Sequence, residues 1–228
     1  MTVVIDPVFS VYRLTQRDTD YSLLRHRRTM SVVSYEIENA TLLDGAENVI
    51  FSSFQRMSKF LPQVDRYTRI AARADQVWVF GIPDVAVPPI PNVTYVPLEA
   101  KDQLAKEWFL VSYGPGYASA LATEELTHID DPDDMRQFRG IWTFDRRLVN
   151  VLYGWLTRIV EADTYNIDQA EFNETTHLTR MANTITRMET LTGDDRLTQM
   201  ESSLIAGEIR ETLIHEVQAV YTRMMADE

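Results

Sequence analysis

Four short polar motifs each follow an apolar run that predicts a buried strand. They are Gln55-Arg56 after the run at 48–53, Gly81 with Asp84 after the run at 76–80, Gly114-Pro115 after the run at 108–113 and Asp145-Arg146 after the run at 138–143. Ligands in open sheets of β-α-β units bind beyond the carboxyl ends of the strands. We therefore expect these motifs to meet at one sheet edge and form a polar pocket over an apolar floor. The alternative is that Gln55, Asp84 and Asp145 only cap helices and turns.

A second candidate site is the basic run Arg25-His26-Arg27-Arg28, which stands out in an acidic chain. It precedes a predicted helix, and the free backbone N–H groups at a helix N-terminus favour bound anions. The run would therefore suit an anionic ligand such as a phosphate. The alternative, common for such runs, is that the arginines pair with surface carboxylates, which are abundant in this sequence.

The sequence contains no metal or catalytic motif that we recognise. Its four histidines lack the H-E-x-x-H spacing of a zinc site, and the acidic stretch after His128 lacks a calcium-loop pattern. There is no thiol nucleophile and no G-x-S-x-G serine motif. His215-Glu216 is weakly similar to the phosphate-accepting histidine of a kinase helix, but an exposed histidine beside a glutamate is common. We therefore predict no metal and no catalytic residue, and any cofactor is unknown.

Composition narrows the classes of function. The chain has 228 residues, a formal net charge of -12 and 45% hydrophobic residues, as in a globular protein with a substantial core. The negative charge argues against broad binding to nucleic acid or to anionic membranes, since both need a positive surface. The sequence shows no signal peptide, no cysteine and no apolar run of about 20 residues, so it predicts a soluble cytoplasmic protein.

The elements that must position these residues follow from hydrophobic periodicity. Apolar runs predict five strands, at 48–53, 76–80, 93–96, 108–113 and 138–143. Helices are predicted at 28–43, 56–74, 117–126 and 146–161, with a break at Pro62 and an N-cap at Asp145. Residues 8–14 predict a short helix or an extended arm. The predicted fold class is α/β, with α+β as the alternative, and contains a mixed sheet of about five strands flanked by helices.

The C-terminal part differs in kind, because residues 170–191 and 197–225 predict two helices and no strand. Gly193 ends the first helix and Asp194-Asp195 begins the second, which predicts a helical hairpin. The second helix carries an apolar stripe of Ile205, Ile209, Leu213, Val217, Val220 and Met224. This interaction stripe would face the preceding domain, its hairpin partner or a second subunit in a homodimer. We therefore predict two domains, residues 1–165 and 166–228.

Several short motifs, taken in order, carry a family resemblance. They are RTM at 28–30, FQR at 54–56, RY at 66–67, VFG at 79–81, VPLEAKDQLAKEWFL at 96–110, GP at 114–115 and FRGIWTFDRRLV at 138–149. Together they resemble the DICT domain, a family named for its occurrence with diguanylate cyclases and two-component proteins. The resemblance covers residues 10–163 and leaves the predicted hairpin outside. It implies a bacterial signal-input module whose partners are signalling proteins: histidine kinases, cyclases or transcription regulators.

The resemblance also selects among the aromatic residues. The aromatic residues that could line a chromophore cleft are Tyr67, Trp78, Phe80, Tyr95, Trp108, Phe109 and Trp142. Aromatic side chains in strands, however, usually fill the core. Trp108, Trp142 and the Arg66-Tyr67 pair lie inside family-like motifs, so they join the predicted ligand-binding residues. The full set is Gln55, Arg56, Arg66, Tyr67, Asp84, Trp108, Trp142, Asp145 and Arg146.

These features predict a sensory or regulatory module that binds an unknown signal and acts by protein–protein contact, not by catalysis. Two alternatives stay open at this point. One is a ligand-free assembly protein that offers the fold only as an interaction surface. The other is an enzyme on small anionic metabolites that uses Gln55, Asp84, Asp145 and Arg146.

Overall fold

A computed structural model describes residues 5–16, 23–161 and 172–192, together with residues 208, 211, 213–219 and 222, which we call the C-terminal segment. The strands of the sheet are β1 (Leu23–His26), β2 (Val49–Arg56), β3 (Gln76–Ile82), β4 (Val93–Pro97), β5 (Glu107–Gly114), β6 (Tyr117–Glu125) and β7 (Gln137–Thr143). They form one 7-stranded sheet in the order β1-β7-β6-β5-β2-β3-β4.

The sheet is mixed, because some neighbouring strands run parallel and others run antiparallel. β2, β3 and β4 run parallel, whereas β5, β6, β7 and β1 each run antiparallel to their neighbours. Between β2 and β3 the chain crosses over through α3 (Met57–Phe60), a 3-10 helix (Leu61–Gln63) and α4 (Val64–Ala71), as a parallel pair requires. A tight turn at Pro115-Gly116 joins β5 to β6. The predicted α/β class is confirmed, with seven strands in place of about five.

The predicted helix at 117–126 is wrong, because these residues form β6. The sequence Tyr-Ala-Ser-Ala-Leu-Ala-Thr carries good helix formers and no regular polar alternation. In the fold, β6 lies inside the sheet between β5 and β7, and residues 117–123 are all buried. A strand that is buried on both faces shows no period of two, so its small residues give a pattern that also suits a helix.

Strand β1 is the second departure from the predicted elements. It is a four-residue edge strand that pairs antiparallel with β7, at the position where the sequence indicated only a basic run. Arg25 and His26 belong to this strand, and Arg27 and Arg28 begin the helix that follows. Four residues offer too few positions for a strand alternation to be recognised.

Helices cover both faces of the sheet. On the face that we call the α2 face lie α2 (Arg27–Leu42), α3, α4 and α6 (Glu174–Thr192). On the opposite face, the α5 face, lie α1 (Val11–Thr15) and α5 (Arg146–Ile159). Alternation along β2 divides the core, because Ile50 belongs to the α2 face and Phe51 to the α5 face. The other predicted helices that fall in described residues are confirmed, with their ends shifted by a few residues.

The C-terminal helices pack on the α2 face. Met181 and Met188 of α6 belong to the same buried cluster as Val33 of α2, and Leu213 of the C-terminal segment joins them. Val217, also from the predicted interaction stripe, is 49% exposed. The other residues of that stripe lie outside the described residues: Ile205, Ile209, Val220 and Met224. The division of the chain at residue 165 stays a prediction.

Candidate functional site

A cavity of about 130 Å³ opens on the α2 face where β2 ends. Residues of α2, of the β2–α3 junction and of β5 surround it, together with the residue that precedes β7. Since β2 and β3 are parallel, their carboxyl ends lie at this edge of the sheet. Open sheets bind ligands at this position, so the cavity is the candidate ligand site.

One stripe of α2 forms the longest wall of this cavity. Arg27, Ser31, Ser34, Tyr35 and Glu38 line it and follow one another at spacings that place them on one side of a helix. All five side chains carry polar groups, whereas the apolar residues of α2 that are buried in the core of the α2 face are Met30, Val33, Ile37 and Ala40. The helix thus presents hydroxyl and charged groups to the cavity and keeps its apolar side for packing.

At the end of β2, Gln55 is buried in a left-handed backbone conformation with φ of 63°. The strand register shifts between Ser53 and Arg56, so Gln55 lies in a bulge. A left-handed conformation costs a residue with a side chain about 1 kcal/mol. The Gln55 amide offsets this cost, because its Nε2 donates to Glu125 (2.7 Å) and its Oε1 accepts from Arg136 (2.6 Å).

Arg136 and Glu125 form a buried ion pair beside the cavity. The guanidinium donates twice to the carboxylate, with Nε–Oε1 at 2.7 Å and Nη2–Oε2 at 2.9 Å. Their side chains are only 2% and 3% exposed. Two-point pairs of this kind fix geometry as well as charge. The pair therefore holds one edge of the cavity rigid, and Arg136 is the most bulky of the fully buried side chains.

Glu38 and its partners form the floor of the cavity. The Arg66 guanidinium donates to Glu38, and the Tyr67 hydroxyl lies 2.9 Å from the Glu38 carboxylate and 2.7 Å from the Ser52 hydroxyl. Burial raises the pKa of the Glu38 carboxyl, against the opposing effect of the Arg66 charge. Burial and the neighbouring Glu38 raise the pKa of Tyr67 well above its ordinary value. Because the Glu38 carboxylate already accepts hydrogen bonds from Arg66 and Tyr67, it is better suited to holding side chains in place than to transferring a proton.

Trp108 of β5 supplies an aromatic wall. Its indole N–H donates to Ser34 Oγ at 3.1 Å, and its ring packs edge-on against Phe138 with centroids 5.5 Å apart. The Arg27 guanidinium lies 5.9 Å from the centre of the indole ring, within the range of a cation–π contact. Phe54 adds a second ring to the lining. The cavity therefore combines flat apolar surface with a nearby positive charge.

Three cationic side chains meet at the mouth of the cavity. Arg27 comes from the start of α2, Lys59 from α3 and Arg136 from the residue before β7. All three approach one oxygen, Oδ1 of Asp133, which lies in the loop between β6 and β7. In a chain with a net charge of -12, this mouth is a local positive site.

A family model matches the part of the chain that builds most of this cavity. The model, DICT, is described as "Sensory domain in DIguanylate Cyclases and Two-component system", and it matches residues 9–126, more than half of the chain. The chain belongs to the DICT family. Of the cavity lining, only Arg136 falls outside the matched residues. No curated protein matches the chain. Among the described residues, no helix has the length and apolar character to cross a membrane.

Four of the predicted ligand-binding residues belong to this DICT cavity or support it. Gln55 and Trp108 line the cavity directly. Arg66 and Tyr67 hold Glu38 at its floor. Their role in binding a ligand stays a prediction, but the fold brings them together as a cluster.

Arg56 and Asp84 lie at the same sheet edge but outside the cavity. Arg56 points away from it and pairs with Asp130, with Nη1–Oδ1 at 2.6 Å. Asp84 accepts from the Ser58 backbone N–H at 2.9 Å, which ties the loop after β3 to the first turn of α3. This contact agrees with the alternative interpretation of Asp84 as a capping residue.

The prediction that all four polar motifs meet at one edge is wrong for Gly114-Pro115 and Asp145-Arg146. β5 and β7 run antiparallel to β2 and lie in the same sheet, so their carboxyl ends are at the opposite edge. Asp145 there caps α5, accepting from the Arg147 N–H at 2.9 Å. The Arg146 guanidinium lies 4.8 Å from the ring centre of Phe172. The set proposed for an enzyme is therefore divided between two edges.

Trp142 also lies away from the cavity. It is 3% exposed, and its indole N–H donates to Ser119 Oγ at 3.0 Å across the neighbouring strand β6. Its ring centre is 4.9 Å from that of Phe144, in the apolar cluster that α6 covers. Trp142 is thus placed as a core residue.

Sequence reasoning missed Arg136, Glu125 and Lys59. No local motif identifies them, because each acts through a partner that is distant in the chain; Gln55 and Arg136, for example, are 81 positions apart. Arg27 of the basic run lines the cavity, and its ion pair with the exposed Asp133 agrees with the alternative interpretation of the run; an anion site there stays a prediction. The neighbouring His26 lies instead against Glu208, with Nδ1–Oε1 at 2.8 Å.

A second cavity of about 370 Å³ lies on the other side of the β2 bulge. Apolar residues such as Ile82 and Ala105 and the charged residues Arg56 and Lys106 line it. Gln55 lines both cavities, so the Gln55–Glu125–Arg136 network separates them. This wall is built entirely from hydrogen-bonded polar side chains, which distinguishes it from the apolar core on either side of the sheet.

Proposed function

We propose that this DICT-family chain is a signal-sensing module that binds a small molecule in the cavity beside α2 and passes the change to its C-terminal helices. Family membership supports a role in signalling, because DICT is a sensory domain. The output would be contact with a signalling protein such as a histidine kinase, a cyclase or a transcription regulator. A second kind of protein contact would be a homodimer that forms through the C-terminal helices.

The observation that carries the proposal is the position of α2 between the cavity and α6. One side of α2 lines the cavity, and Glu36 on another side accepts from Arg187 of α6 at 2.6 Å. Arg187 also donates to Asp44, just after α2, at 3.0 Å. Apolar contacts complete the interface, since Met188 of α6 and Ile37 of α2 share one buried cluster. A shift of α2 toward a ligand would therefore have to be met by α6.

A second contact joins the C-terminal segment to the N-terminus of α2. The Glu208 carboxylate accepts from the His26 backbone N–H at 3.3 Å and from the Thr29 hydroxyl. A carboxylate at this end of a helix satisfies free N–H groups and complements the helix dipole. Arg27, which faces the cavity mouth, lies between these two partners in sequence. The C-terminal segment is thus attached to the very turn of α2 that carries a cavity cation.

The physical basis of transmission would be a shift between two packings of α2 against its neighbours. A ligand changes such an equilibrium only by binding one packing better than the other. The side chains of Arg187 and of Glu208 are suited to this, because each joins α2 to the C-terminal helices through a few directional hydrogen bonds. Ile214 and Val217, which are 56% and 49% exposed, are the apolar residues of the C-terminal segment that a partner would contact.

A thermal-shift screen of small molecules tests the sensing part of the proposal. The variant Ser31→Phe places a bulky ring in the cavity, and Thr68→Phe places the same ring on the exposed surface of α4 as a control. We expect molecules that raise the melting temperature of the wild-type chain and of Thr68→Phe, but not of Ser31→Phe. Native mass spectrometry of the purified chain should show any molecule that is retained.

The outcome that contradicts the proposal is a set of molecules that stabilise Ser31→Phe as well as the wild type. An absence of any stabilising molecule would equally favour the ligand-free assembly protein. In that case the cavity would be a consequence of packing, and the family role would rest on the protein surface alone.

A further inference from the structure

Three cations from three separate elements share a single carboxylate at the cavity mouth. The distances to Asp133 Oδ1 are 3.2 Å from Arg27 Nε, 4.0 Å from Lys59 Nζ and 3.9 Å from Arg136 Nη1. Because all three nitrogens surround the same point, one oxygen placed there is within reach of them all. The arrangement is that of an oxyanion site whose anion is supplied by the protein itself.

The charges of this mouth are not balanced without Asp133. Arg136 is already paired with Glu125 in the buried wall. Within the part of the chain that the structure describes, Asp133 is the only carboxylate that forms an ion pair with Arg27 or with Lys59. Removing Asp133 from its position would leave two positive charges facing the cavity, in a partly buried place where charges interact more strongly than in water.

Asp133 itself is weakly held. Its side chain is 56% exposed, and it belongs to an acidic loop between β6 and β7 that also contains Asp130, Asp131 and Asp134. Exposed ion pairs contribute little to stability, because water and salt compete with them. The cations are better fixed than their anion, since Arg136 is 2% exposed and Arg27 is 29% exposed. An anion from solution would therefore displace Asp133 more easily than it would disturb the cations.

The space behind the mouth limits the body of such an anion. The cavity measures about 130 Å³ and is lined by the rings of Trp108, Tyr35 and Phe54. Cavities of about 150 Å³ hold a single benzene ring. The hydroxyl groups of Ser31 and Ser52 add positions for a hydrogen bond. A single flat ring with one acidic group fits both the rings and the cations.

We propose that the cavity takes a small aromatic or similarly flat oxyanion, a carboxylate or a phosphate, whose acidic group replaces Asp133 between Arg27, Lys59 and Arg136. This inference rests on the proposed function, since it names the ligand class of the same cavity. Asp133 acts as a built-in competitor: it occupies the anion position in the empty state and releases the β6–β7 loop when the ligand binds. Ligand binding would thus free the part of the acidic loop around Asp133, while Arg56 still holds Asp130, as well as fill the cavity.

Benzoate is the first probe, and phenyl phosphate and benzamide are its companions. Binding is measured by calorimetry on the full chain, with tryptophan fluorescence as a second readout that comparison with Trp108→Phe assigns to Trp108 among the four tryptophans. We expect benzoate or phenyl phosphate to bind and neutral benzamide not to bind. Arg27→Gln and Lys59→Gln should each weaken binding about tenfold, the value of one charge-assisted hydrogen bond. Affinity should also fall as salt is added.

The decisive comparison is between Asp133→Asn and Asp134→Asn. Both remove one negative charge from the same exposed loop, but only Asp133 forms ion pairs with the three cations. We expect Asp133→Asn to bind the anionic probe several-fold more tightly than the wild type, and Asp134→Asn to bind it with nearly unchanged affinity. Folding is not in question for either variant, because both side chains are exposed.

Equal effects of the two aspartate variants would overturn the inference, as would undiminished binding by Arg27→Gln or equal binding of benzamide. The failure of the proposed function would look different. If benzoate binds as expected while the C-terminal helices do not respond, the oxyanion site stands and the transmission fails. If neither anionic probe binds but a neutral molecule stabilises the wild type and Thr68→Phe and not Ser31→Phe, the cavity is a sensing site and its proposed preference for anions is wrong.

Discussion

The two faces of the sheet bury charge in different ways. On the α5 face, the described residues form an apolar cluster around Leu152 and Leu156, and Glu107 is fully buried at the start of α1. On the α2 face, Glu38, Glu125 and Arg136 are buried around a cavity. Both faces are closed by helices, but the buried charges of the α2 face border a cavity, whereas the Glu107 carboxylate of the α5 face is bound to the backbone and side chain of α1 and its N-cap.

Glu107 shows why buried charge alone does not mark a site. Its carboxylate accepts from the Val11 N–H at 2.9 Å, from the Tyr12 N–H at 3.2 Å and from the Ser10 hydroxyl. These bonds anchor the start of α1 to the sheet, so the carboxylate serves the fold. The cations of the α2 face differ, because Arg27 and Lys59 have their ion-pair partner on a surface loop. A buried or half-buried charge beside a cavity, with a partner that can leave, is the feature that indicates binding.

The largest effect is expected from Arg136→Met on the α2 face. The substitution leaves Glu125 buried without its cation, and such losses cost about 3–5 kcal/mol of the free energy of unfolding. The double variant Arg136→Met with Glu125→Met should recover part of this loss. Urea unfolding followed by circular dichroism measures both values. A loss of less than about 1 kcal/mol for the single variant would show that the ion pair does not hold this edge.

On the α5 face, Leu152→Ala should destabilise the fold without touching the cavity. Leu152 is fully buried in the apolar cluster, and such a truncation costs about 2–4 kcal/mol because it leaves a void. Thermal or urea unfolding measures the loss. Binding of benzoate to the folded variant should equal that of the wild type. Weakened binding at a temperature where the variant is fully folded would contradict the separation of the two faces.

The pH dependence of stability should distinguish Glu107 from an ordinary carboxylate. Burial raises the pKa of Glu107 from 4.5 to about 7, and the hydrogen bonds from Ser10, Tyr12 and Val11 lower it by less. Because the folded pKa is raised, the folded chain holds a proton that the unfolded chain releases between these two values. The contribution of Glu107 is therefore full below about pH 4.5 and is lost as the pH rises through about 7.

The variant Glu107→Gln isolates this contribution. Between pH 5 and pH 7.5 the free energy of unfolding should decline less in the variant than in the wild type, and the difference should reach up to about 3 kcal/mol. Some decline should persist in the variant, because burial also raises the pKa of Glu38. Urea unfolding at several pH values gives the comparison. A wild-type stability that rises with pH over this window, relative to the variant, would contradict the raised pKa.

The smallest expected effect concerns the contact between α2 and α6. Arg187→Met removes the bonds to Glu36 and Asp44, and should cost about 1–2 kcal/mol. Arg180→Met is the matched control on the same helix, since Arg180 donates to the backbone oxygens of Asp44, Gly45 and Gly116 and not to a side chain of α2. Only Arg187→Met should reduce the response of α6 to a cavity ligand. An equal reduction by both variants would mean that the coupling does not run through α2.

Much of the fold could be predicted from local patterns, and much of the site could not. The stripe of α2 and the apolar runs of β2 and β3 carry their periodicity in the sequence, so these elements were found. β6 was not found, because a central strand of alanine and serine has the composition of a helix. The wrong edge predicted for Asp145 has another cause: the expected β-α-β order makes β5 parallel to β2, whereas β5 runs antiparallel to β2, and β7 runs in the same direction as β5.

The site residues also divide into those that a local sequence pattern identifies and those that it does not. Gln55 and Trp108 lie in motifs that the sequence makes visible, and both line the cavity. Arg136 has no such motif, because its role comes from Glu125 across a hairpin and from Gln55 in a distant bulge. Asp133 looked like one charge among several in a solvated loop. Only the fold shows that it meets three cations.

The most direct test of sensing and transmission is amide hydrogen exchange with and without a saturating cavity ligand, chosen by the Ser31→Phe comparison. We expect exchange to change in α2 and in residues 174–192 of α6, and to stay the same in residues 146–159 of α5 on the opposite face. Unchanged exchange in α6, or an equal change in α5, would contradict transmission through α2.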